Sequence, residues 1–558
     1  MVPVSRSALA LAACAAVLVL ANGAGARPAG NANFVGAWAV STGVSFTITS
    51  ETAGGACTGT APGFTITNCQ VTGNHYAFLV VQPGSAYKSQ NNGTLKGNTL
   101  SGVFRDTNGA VIKYTAKRAA PAKLGIDWSM PKRLTSATPA AQNWDVLDGL
   151  PPTSEIYPKD WQVDLFLTSG GMPTCPAGVT YVWTVTGGGT TQTLPGTGCR
   201  VTATVPRLGT YSVKAKEFKS GSPTGVKASN TKVEVQDFLI VGLGDSNGSG
   251  EGNAPFYYKR CNRSVASYQF QAALYVEDQD PHSSVTFIHA SCSGARIDHL
   301  YTTPYAGTRP ANPPLDPQLD QVSLLLDHQK PARKVDAVIL SVGVNDLAFG
   351  GILEFCIVHA AAPASAPCEG LPAIEQLDSV NRTIGFSAAN SSTTPTLGDR
   401  LTTLQHQLLA RYGPLATAMS RPVAPKGGGL GVAPKDVFIT QYPDFTNGDN
   451  GTPCGPTGLA RFGTSTWAWL GLNAELLNRT VAAAAAKHHW TLAPVNSAAF
   501  ANRGYCASKP LFVGIAGASL GHFDVAGPFH PDGEAHLIQA AEVEPKLCAS
   551  LGLSDTCE

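Results

Sequence analysis

Ser246 is the residue of this sequence whose surroundings most clearly favour chemistry. It stands in a glycine-rich turn that directly follows an apolar run of strand length beginning at Asp237. This pattern is typical of a buried strand that ends at the carboxyl edge of an open α/β sheet, where such sheets keep their sites. A serine hydroxyl there can act as a nucleophile once a base takes its proton. The turn therefore makes Ser246 a candidate nucleophile, while an ordinary Gly/Ser/Asn turn after a strand remains the alternative.

Acyl transfer also needs a base and hydrogen-bond donors for the oxyanion. Polar turns at residues 291–296 and 343–346 follow the next two strand candidates. A late histidine, His530, precedes a proline, and an X-Pro bond favours an extended loop. His536 falls in a helical pattern and is interpreted as structural, while His522 is a weaker candidate base. Taken singly, each of these stretches could be an ordinary turn or a structural histidine, so their order along the chain carries the interpretation.

These stretches together resemble the sequence blocks of the GDSL, or SGNH, family of serine esterases and lipases, over about Phe238 to Leu547. The resemblance implies that Ser246 is the nucleophile and His530 the base. It also implies an oxyanion hole made by the N–H groups of Ser246 and Gly294 and the side-chain amide of Asn345. We expect the middle residue of the Gly-Asp-Ser motif, Asp245, to hold the turn through backbone N–H groups. No metal or cofactor is implied.

One departure from the family concerns the group that orients the histidine. Most members place an aspartate three residues before it, where this chain has Gly527. Either Asp524 reaches in, or a backbone carbonyl orients the imidazole in a Ser-His dyad. The branch that resembles the secreted Streptomyces-type esterase uses a carbonyl, and we favour the dyad. Asn247 and Val344 replace the residues more usual in that branch.

The stretch 237–558 alternates strands with helices. This alternation predicts a flavodoxin-like, doubly wound parallel five-stranded sheet with Ser246 at the tip of its first strand. The predicted strands are Phe238–Gly242, Ser284–Ile288, Asp336–Val342, Asp436–Gln441 and Trp490–Val495. The predicted helices lie near Val265–Val276, Leu319–His328, Leu397–Met419, Thr464–Lys487 and Gly533–Leu547.

Two small all-β domains are expected before this α/β domain, because 558 residues are too many for one ordinary core. Residues 27–118 show short alternating strands separated by turns such as Asn91-Asn92-Gly93, which predicts a barrel or sandwich. Residues 127–236 show the pattern of an immunoglobulin-like sandwich and resemble the PKD type. These domains could hold a polysaccharide or a cell surface, or act as spacers.

The cysteines and the N-terminus indicate export. Residues 1–26 read as a signal peptide, with an apolar stretch from Ala8 to Ala21 and a small-residue cleavage site. Cys14 formally matches a lipoprotein box, which is the minor alternative. The other cysteines form sequence-local couples without zinc-site spacing, so we expect six disulfides in an oxidising compartment. The couples are Cys57 with Cys69, Cys175 with Cys199, Cys261 with Cys292, Cys356 with Cys368, Cys454 with Cys506, and Cys548 with Cys557.

Composition limits the partners. Charged residues make up 14% of the chain, the net charge is +1, and no basic stretch stands out. Nucleic acid is therefore excluded as an expected partner. We expect a secreted monomer that acts on an ester, either a lipid or an acylated polymer.

Alternative functions follow from the same residues. Gly244-Asp-Ser-Asn-Gly248 also satisfies the GxSxG elbow of α/β-hydrolases, but that fold needs βα units before its serine and none is found. A polymer-binding protein on an inactive scaffold is a second alternative, although Ser246, Gly294, Asn345 and His530 are all present. Among substrates, fatty-acyl esters are favoured over acetylated polysaccharides, and the loops 360–396 and 444–460 are expected to form the pocket.

Overall fold

The computed structural model describes residues 34, 36–41, 45–51, 55–83, 88–107, 109–118, 123–135, 150–308, 313–359, 367–377, 384–456, 461–515, 527–555 and 557. The predicted signal peptide, His522 and Asp524 lie outside these residues. The chain divides into two compact units. The first comprises the described residues up to Trp128 with Gln162–Val205 and Gly209–Glu234. The second comprises Ser129–Trp161, Pro206–Leu208 and the described residues from Val235 onwards.

The N-terminal part of the first unit is a closed barrel of eight antiparallel strands, each paired with its neighbours in sequence and the last with the first. The predicted turn at Asn91-Asn92-Gly93 is wrong, because these residues lie inside the sixth strand, with Asn91 opposite Phe104. The strands are β1 (Gly36–Val40), β2 (Ser45–Glu51), β3 (Ala56–Ala61), β4 (Phe64–Thr72), β5 (His75–Val81), β6 (Lys88–Lys96), β7 (Thr99–Asp106) and β8 (Val111–Arg118).

Aromatic side chains form the barrel core. The Phe34 ring stacks on Tyr76 at 5.0 Å between centroids, and Phe46 contacts Phe78 at 5.1 Å. The Trp38 indole is fully buried and donates to the Phe34 carbonyl at 3.0 Å. An eight-stranded barrel is just wide enough for side chains to fill its interior.

The rest of the first unit is also built from β-strands. A short helix, α1 (Thr153–Ile156), precedes most of them in sequence and belongs to the second unit. One sheet contains β9 (Leu124–Ser129), β10 (Trp161–Ser169), β11 (Met172–Pro173) and β14 (Arg200–Val205). The other contains β12 (Thr180–Gly187), β13 (Thr190–Thr197), β15 (Gly209–Lys219) and the first part of β16 (Ser222–Gly244). Buried and exposed residues alternate along β10 and β12, as expected for strands with one buried face.

The second unit contains the predicted parallel sheet. Its five strands run in the order β19–β16–β20–β23–β24, and all neighbours are parallel. The four strands that join β16 in this sheet each begin within one residue of the predicted start. The strands of this unit after β16 are β17 (Phe256–Tyr258), β18 (Arg263–Ser264), β19 (Ser283–His289), β20 (Ala337–Ser341), β21 (Ala373–Leu377), β22 (Ile384–Ala388), β23 (Val437–Thr440) and β24 (Thr491–Ala493).

Helices cover both faces of this sheet. Alternate residues of β16 enter two different core clusters: Leu239 and Val241 pack with one, and Phe238 and Ile240 with the other. The five predicted helices are present. The α-helices after α1 are α2 (Ser246–Ser249), α3 (Tyr268–Gln279), α4 (Ile297–Tyr301), α5 (Gln318–Leu326), α6 (Phe349–His359), α7 (Leu397–Ser420), α8 (Thr464–His488), α9 (Ser497–Phe500) and α10 (Gly533–Leu551).

The segment 129–135 differs from the expectation that it belongs to the sandwich. It is bound to the second unit instead. The Glu277 carboxylate accepts the N–H groups of Arg133 and Leu134, each at 3.2 Å, and the Met130 N–H donates to Pro281 at 2.8 Å. Burial raises the pKa of Glu277 to about 7, although these backbone donors act in the opposite direction.

All six predicted disulfides are formed, and each joins the two cysteines of one sequence-local couple. Two of them lie in the first unit and four in the second. The bonds of the first unit join Cys57 to Cys69 and Cys175 to Cys199. The bonds of the second unit join Cys261 to Cys292, Cys356 to Cys368, Cys454 to Cys506, and Cys548 to Cys557.

The described residues lack two features that would change the expected partners. Among these residues, no helix is long and apolar enough to cross a membrane. Nor do they contain a group of three or more His, Cys, Asp or Glu side chains that could hold a metal ion.

Candidate active site

The turn that carries Ser246 is fixed by glycine and by an aspartate cap. Gly244, the last residue of β16, has φ +137°, and a Cβ there would lie 1.9 Å from the Ser341 carbonyl oxygen. Only glycine fits such a position. Asp245 then caps α2, because its carboxylate accepts the Asn247 N–H at 3.1 Å. Ser246 is therefore the first residue of α2, at the carboxyl end of β16, and is 6% exposed.

Asp245 holds this turn from a fully buried position. Its carboxylate also accepts the Tyr442 hydroxyl at 2.5 Å and the Ser341 hydroxyl at 3.0 Å. Burial raises the pKa of Asp245 to about 6, while the hydrogen bonds from Tyr442, Ser341 and the turn favour the ionised form. These contacts agree with the turn-holding role predicted from the sequence.

The turn after β19 is hydrogen-bonded to the turn that carries Ser246. The Cys292 N–H donates to the Gly244 carbonyl at 2.9 Å. Two residues on, Gly294 has φ +78°, and a Cβ there would lie 2.2 Å from the Tyr305 hydroxyl. That hydroxyl donates to the Ser293 carbonyl at 2.7 Å, so Tyr305 holds the turn and leaves no room for a side chain at position 294.

The turn after β20 is hydrogen-bonded to the two turns that follow β16 and β19. The Asp245 N–H donates to the Ser341 carbonyl at 2.8 Å. Asn345 begins a single 3₁₀ turn, and its Nδ2 donates to the Ala295 carbonyl at 3.0 Å. Asp346 accepts the Ile297 N–H at 2.9 Å. Burial raises the pKa of Asp346 to about 6, even though Arg411 pairs with it at 3.2 Å.

His530 lies on a loop held by backbone pairing and by one strained residue. The Phe529 N–H donates to the Val513 carbonyl, and the Val513 N–H donates to the His530 carbonyl, both at 2.9 Å. Phe529 has φ +69°, an uncommon conformation for a bulky residue. Its ring stacks on Tyr505 at 4.5 Å between centroids, which anchors the strained residue.

The carbonyl oxygen of Gly527 lies 3.3 Å from Nδ1 of His530. This glycine occupies the position where most of the resembled family has an aspartate. The contact is the arrangement expected for a dyad, because a carbonyl oxygen can only accept a hydrogen bond, so Nδ1 carries the proton and donates it. It leaves Nε2 as the nitrogen that can take a proton.

Glu251 is a buried carboxylate that sequence reasoning missed. It lies five residues after Ser246, is 1% exposed, and places Oε2 3.7 Å from Nε2 of His530. The Ser293 hydroxyl donates to Oε2, and the Asn262 amide donates to Oε1 at 3.2 Å. A carboxyl oxygen thus faces the predicted base. The only sequence signal was that Glu251 is a charged residue within the glycine-rich turn.

Ser246 and His530 line one chamber of about 90 Å³. Its described walls come mainly from α6, α7, α8, the loop after β23 and the residues next to His530. The sequence predicted a pocket formed by the loops 360–396 and 444–460, of which 360–366, 378–383 and 457–460 lie outside the described residues. Of the loop 444–460, Phe445 is a lining residue. The apolar lining residues include Val344, Leu347, Phe349, Ile352, Leu401, Phe445, Leu470, Leu477, Phe512 and Phe529. Gly294 and Asn345 are not among the lining residues, and their connection to the site is the hydrogen bonding described above.

Two other histidines are buried away from this chamber. His536 is fully buried in α10, accepts the Tyr268 N–H at 3.4 Å, and stacks on the Tyr268 ring. Burial lowers the pKa of His536 to about 3. His289 is also fully buried, between Tyr257 and the Gly248 carbonyl. Neither lines the chamber.

No family model matches the chain, and no curated protein does. Solved structures do. An extracellular lipase from Streptomyces rimosus matches at 19% identity and a TM-score of 0.35, over 56% of this chain and 99% of the lipase. A phospholipase A1 from Streptomyces albidoflavus matches at 18% identity and a TM-score of 0.34, over 56% of this chain and 99% of the phospholipase. An acetylxylan esterase from Geobacillus stearothermophilus matches at 12% identity and a TM-score of 0.26, over 56% of this chain and 94% of the esterase. At these identities and scores, the matches assign no function to this chain.

Proposed function

We propose that this chain is a serine carboxylic ester hydrolase that works through a Ser246–His530 dyad. One observation carries the proposal: both residues line a single chamber, and the Gly527 carbonyl meets Nδ1 of His530 at 3.3 Å. The imidazole then keeps Nε2 for the proton of the serine hydroxyl. A nucleophile, an oriented base and a cavity at the carboxyl end of β16 are what acyl transfer requires.

The reaction follows the Ser-His template. Nε2 of His530 takes the proton of Ser246 while the serine oxygen attacks the acyl carbon. The N–H groups of Ser246 and Gly294 and the amide of Asn345 stabilise the oxyanion. The imidazolium returns its proton to the leaving alcohol, which departs and leaves an acyl-serine. Water, deprotonated by the same imidazole, then releases the acid and restores Ser246.

The chamber favours an acyl chain as the bound group. Its walls are almost wholly aliphatic and aromatic, which suits a hydrocarbon better than a sugar ring. The chamber has about 90 Å³ of free volume. A water-sized group needs ~10–15 Å³ of such volume, so the chamber holds on the order of six of them. We propose fatty-acyl esters as substrates, with chains longer than acetate. Six disulfides and the predicted signal peptide support an exported enzyme.

The direct test is hydrolysis of p-nitrophenyl esters from acetate to palmitate by the mature protein, beside Ser246→Ala. The exposed Ser391→Ala is the matched control for serine removal. We expect Ser391→Ala to match the wild type, Ser246→Ala to lose activity, and the chain-length optimum to lie at short to medium chains. An optimum at acetate would favour a polysaccharide acetyl esterase. Equal inertness of wild type and Ser246→Ala on all esters would favour the binding-protein alternative.

A further inference from the structure

Asn247, the residue after the nucleophile, has a buried acceptor that no described residue satisfies. This residue lines the chamber together with Ser246 and is 4% exposed. Its Oδ1 has no hydrogen-bond partner within the described part of the chain. Buried polar atoms without a partner are rare in folded proteins, and each one calls for an explanation.

The hydrogen-bond network fixes which way the amide points. The Ser341 hydroxyl has one proton, which it donates to Asp245 at 3.0 Å. Ser341 can therefore only accept from Asn247, so Nδ2 faces it, at 3.4 Å. Exchanging the nitrogen and oxygen of the amide would set two acceptors against each other. Oδ1 must then face away from Ser341.

The other uncharged polar side chains of the chamber wall are already used by the protein. The Tyr442 hydroxyl donates to Asp245 at 2.5 Å. Nδ2 of Asn473 donates to Trp469 at 2.7 Å, and its Oδ1 accepts from Gln405 at 2.8 Å. Apart from the proposed dyad, Oδ1 of Asn247 is the polar side-chain atom of the described wall that has no hydrogen-bond partner.

We propose that Oδ1 of Asn247 accepts a hydrogen bond from a hydroxyl group next to the scissile ester, so the preferred substrates are hydroxyl-bearing esters. The inference rests on the proposed ester hydrolysis at Ser246. A single uncharged acceptor selects a neutral donor, which in an ester of simple chemistry is a hydroxyl. This hydroxyl can belong to the alcohol, as in a partial ester of a polyol, or to the acid, as in an α-hydroxy acid ester. Binding a substrate without it leaves the acceptor unpaired, which is how a polar site rejects an analogue.

The test compares matched esters within each protein variant. The alcohol arm uses the hydroxyethyl and methoxyethyl esters of one fatty acid, and the acid arm uses the methyl esters of that acid and of its α-hydroxy derivative. We expect the wild type to prefer the hydroxyl ester in one arm by a kcat/KM ratio on the order of 10. Asn247→Leu and Asn247→Ala remove the acceptor with different bulk, and both should bring that ratio close to one. Val344→Ala, which enlarges the same chamber, should keep the wild-type ratio.

The outcomes separate the two claims. If neither ester of any pair is cleaved in a Ser246-dependent way, the proposed function fails. If the esters are cleaved but the wild-type ratio is near one in both arms, Asn247 does not select a hydroxyl. A wild-type preference that survives in both Asn247 variants overturns the inference as well. The arm that shows the preference identifies the side of the ester that carries the hydroxyl.

Discussion

The Gly527 carbonyl oxygen lies 3.3 Å from Nδ1 of His530, at the position where a Ser-His-Asp enzyme would present a carboxylate. A peptide carbonyl cannot be titrated and carries only a partial charge, but it can fix the tautomer and the ring plane of the imidazole. The backbone of residue 527 is itself held, because its carbonyl also accepts the His530 N–H at 3.2 Å.

The first prediction concerns Asp524, the alternative orienting group. If the carbonyl orients His530, Asp524→Asn should leave kcat/KM within about threefold of the wild type, whereas removing the aspartate of a true triad costs about 10⁴ in kcat. Ester hydrolysis measured for Asp524→Asn and His530→Ala side by side checks this. A loss of the size seen in His530→Ala would show that Asp524 completes a triad.

The second prediction concerns Glu251. The imidazolium formed during catalysis would lie beside its carboxylate, 3.7 Å from Nε2 of His530, and an opposite charge stabilises it. Glu251→Gln should therefore lower kcat about tenfold, which corresponds to ~1.4 kcal/mol of lost transition-state stabilisation. KM should change much less, because Glu251 does not line the chamber.

Glu475→Gln is the matched control for Glu251→Gln. Glu475 is an exposed glutamate that pairs with Arg479 on the surface of α8, so its loss should leave both constants near wild-type values. A fall in kcat/KM for Glu251→Gln that comes entirely from KM, with kcat intact, would contradict the electrostatic role.

The third prediction concerns the chamber. Ala474 lines it on α8, and Ala474→Phe should fill space that an acyl chain needs. On a six-carbon acyl ester, kcat/KM of the variant should fall on the order of tenfold, because losing the pocket contacts of one or two methylene groups has an effect of this size. On an acetate ester, kcat/KM should fall less. Leu472→Phe enlarges an exposed residue of the same helix outside this chamber and should keep the wild-type chain-length profile. An unchanged profile in Ala474→Phe would place the acyl chain elsewhere.

The fourth prediction is a pH dependence of stability that arises from His289. As a neutral ring, it can accept the Tyr257 hydroxyl at Nδ1 and donate from Nε2 to the Gly248 carbonyl at 2.9 Å. Burial, together with the charge of Arg263, lowers its pKa to about 3 from the ordinary 6.5. Because the folded-state pKa is depressed, the unfolded chain gains the proton first. The stability from neutral His289 is present above pH 6.5 and is lost as the pH falls towards 3.

A His289→Gln variant isolates this contribution from the buried carboxylates, whose raised pKa values act in the opposite direction. The difference in unfolding free energy between wild type and variant, here called the gap, should shrink by about 2 to 3 kcal/mol when the pH is lowered from 7.5 to 4.5. Denaturation of both proteins with their disulfides intact measures the gap. His282→Gln, which removes a partly exposed histidine, is the control for the loss of a histidine side chain. A gap for His289→Gln that widens on acidification would contradict the assignment.

The parallel sheet could be predicted closely because its strands are buried on both faces. Such strands read as short, nearly continuous apolar runs, as in Ala337–Ser341 and Val437–Thr440, and the turns after them are visible as glycine and polar residues. The barrel was harder. Asn91 and Asn92 favour turns locally, but pairing with β5 and β7 on either side holds them in β6, so tertiary structure overrides local preference.

The parts of the site that were not predicted depend on contacts between distant residues. The sequence does not show which backbone carbonyl contacts His530, because every residue carries the same carbonyl group. The approach of Glu251 to His530 joins positions 279 residues apart in the sequence (530 − 251). The chamber wall likewise combines Ile352, Leu401 and Leu470 from three different helices, none of which shows by its own pattern that it borders a cavity.

Covalent labelling with an acyl-like fluorophosphonate probe, followed by mass mapping of the modified peptide, tests directly whether Ser246 is an activated nucleophile. We expect one adduct per chain, located on Ser246, absent in Ser246→Ala, and formed much more slowly in His530→Ala. Labelling of another residue, or no labelling of a folded wild-type protein that retains its six disulfides, would contradict the assignment of Ser246 as an activated nucleophile.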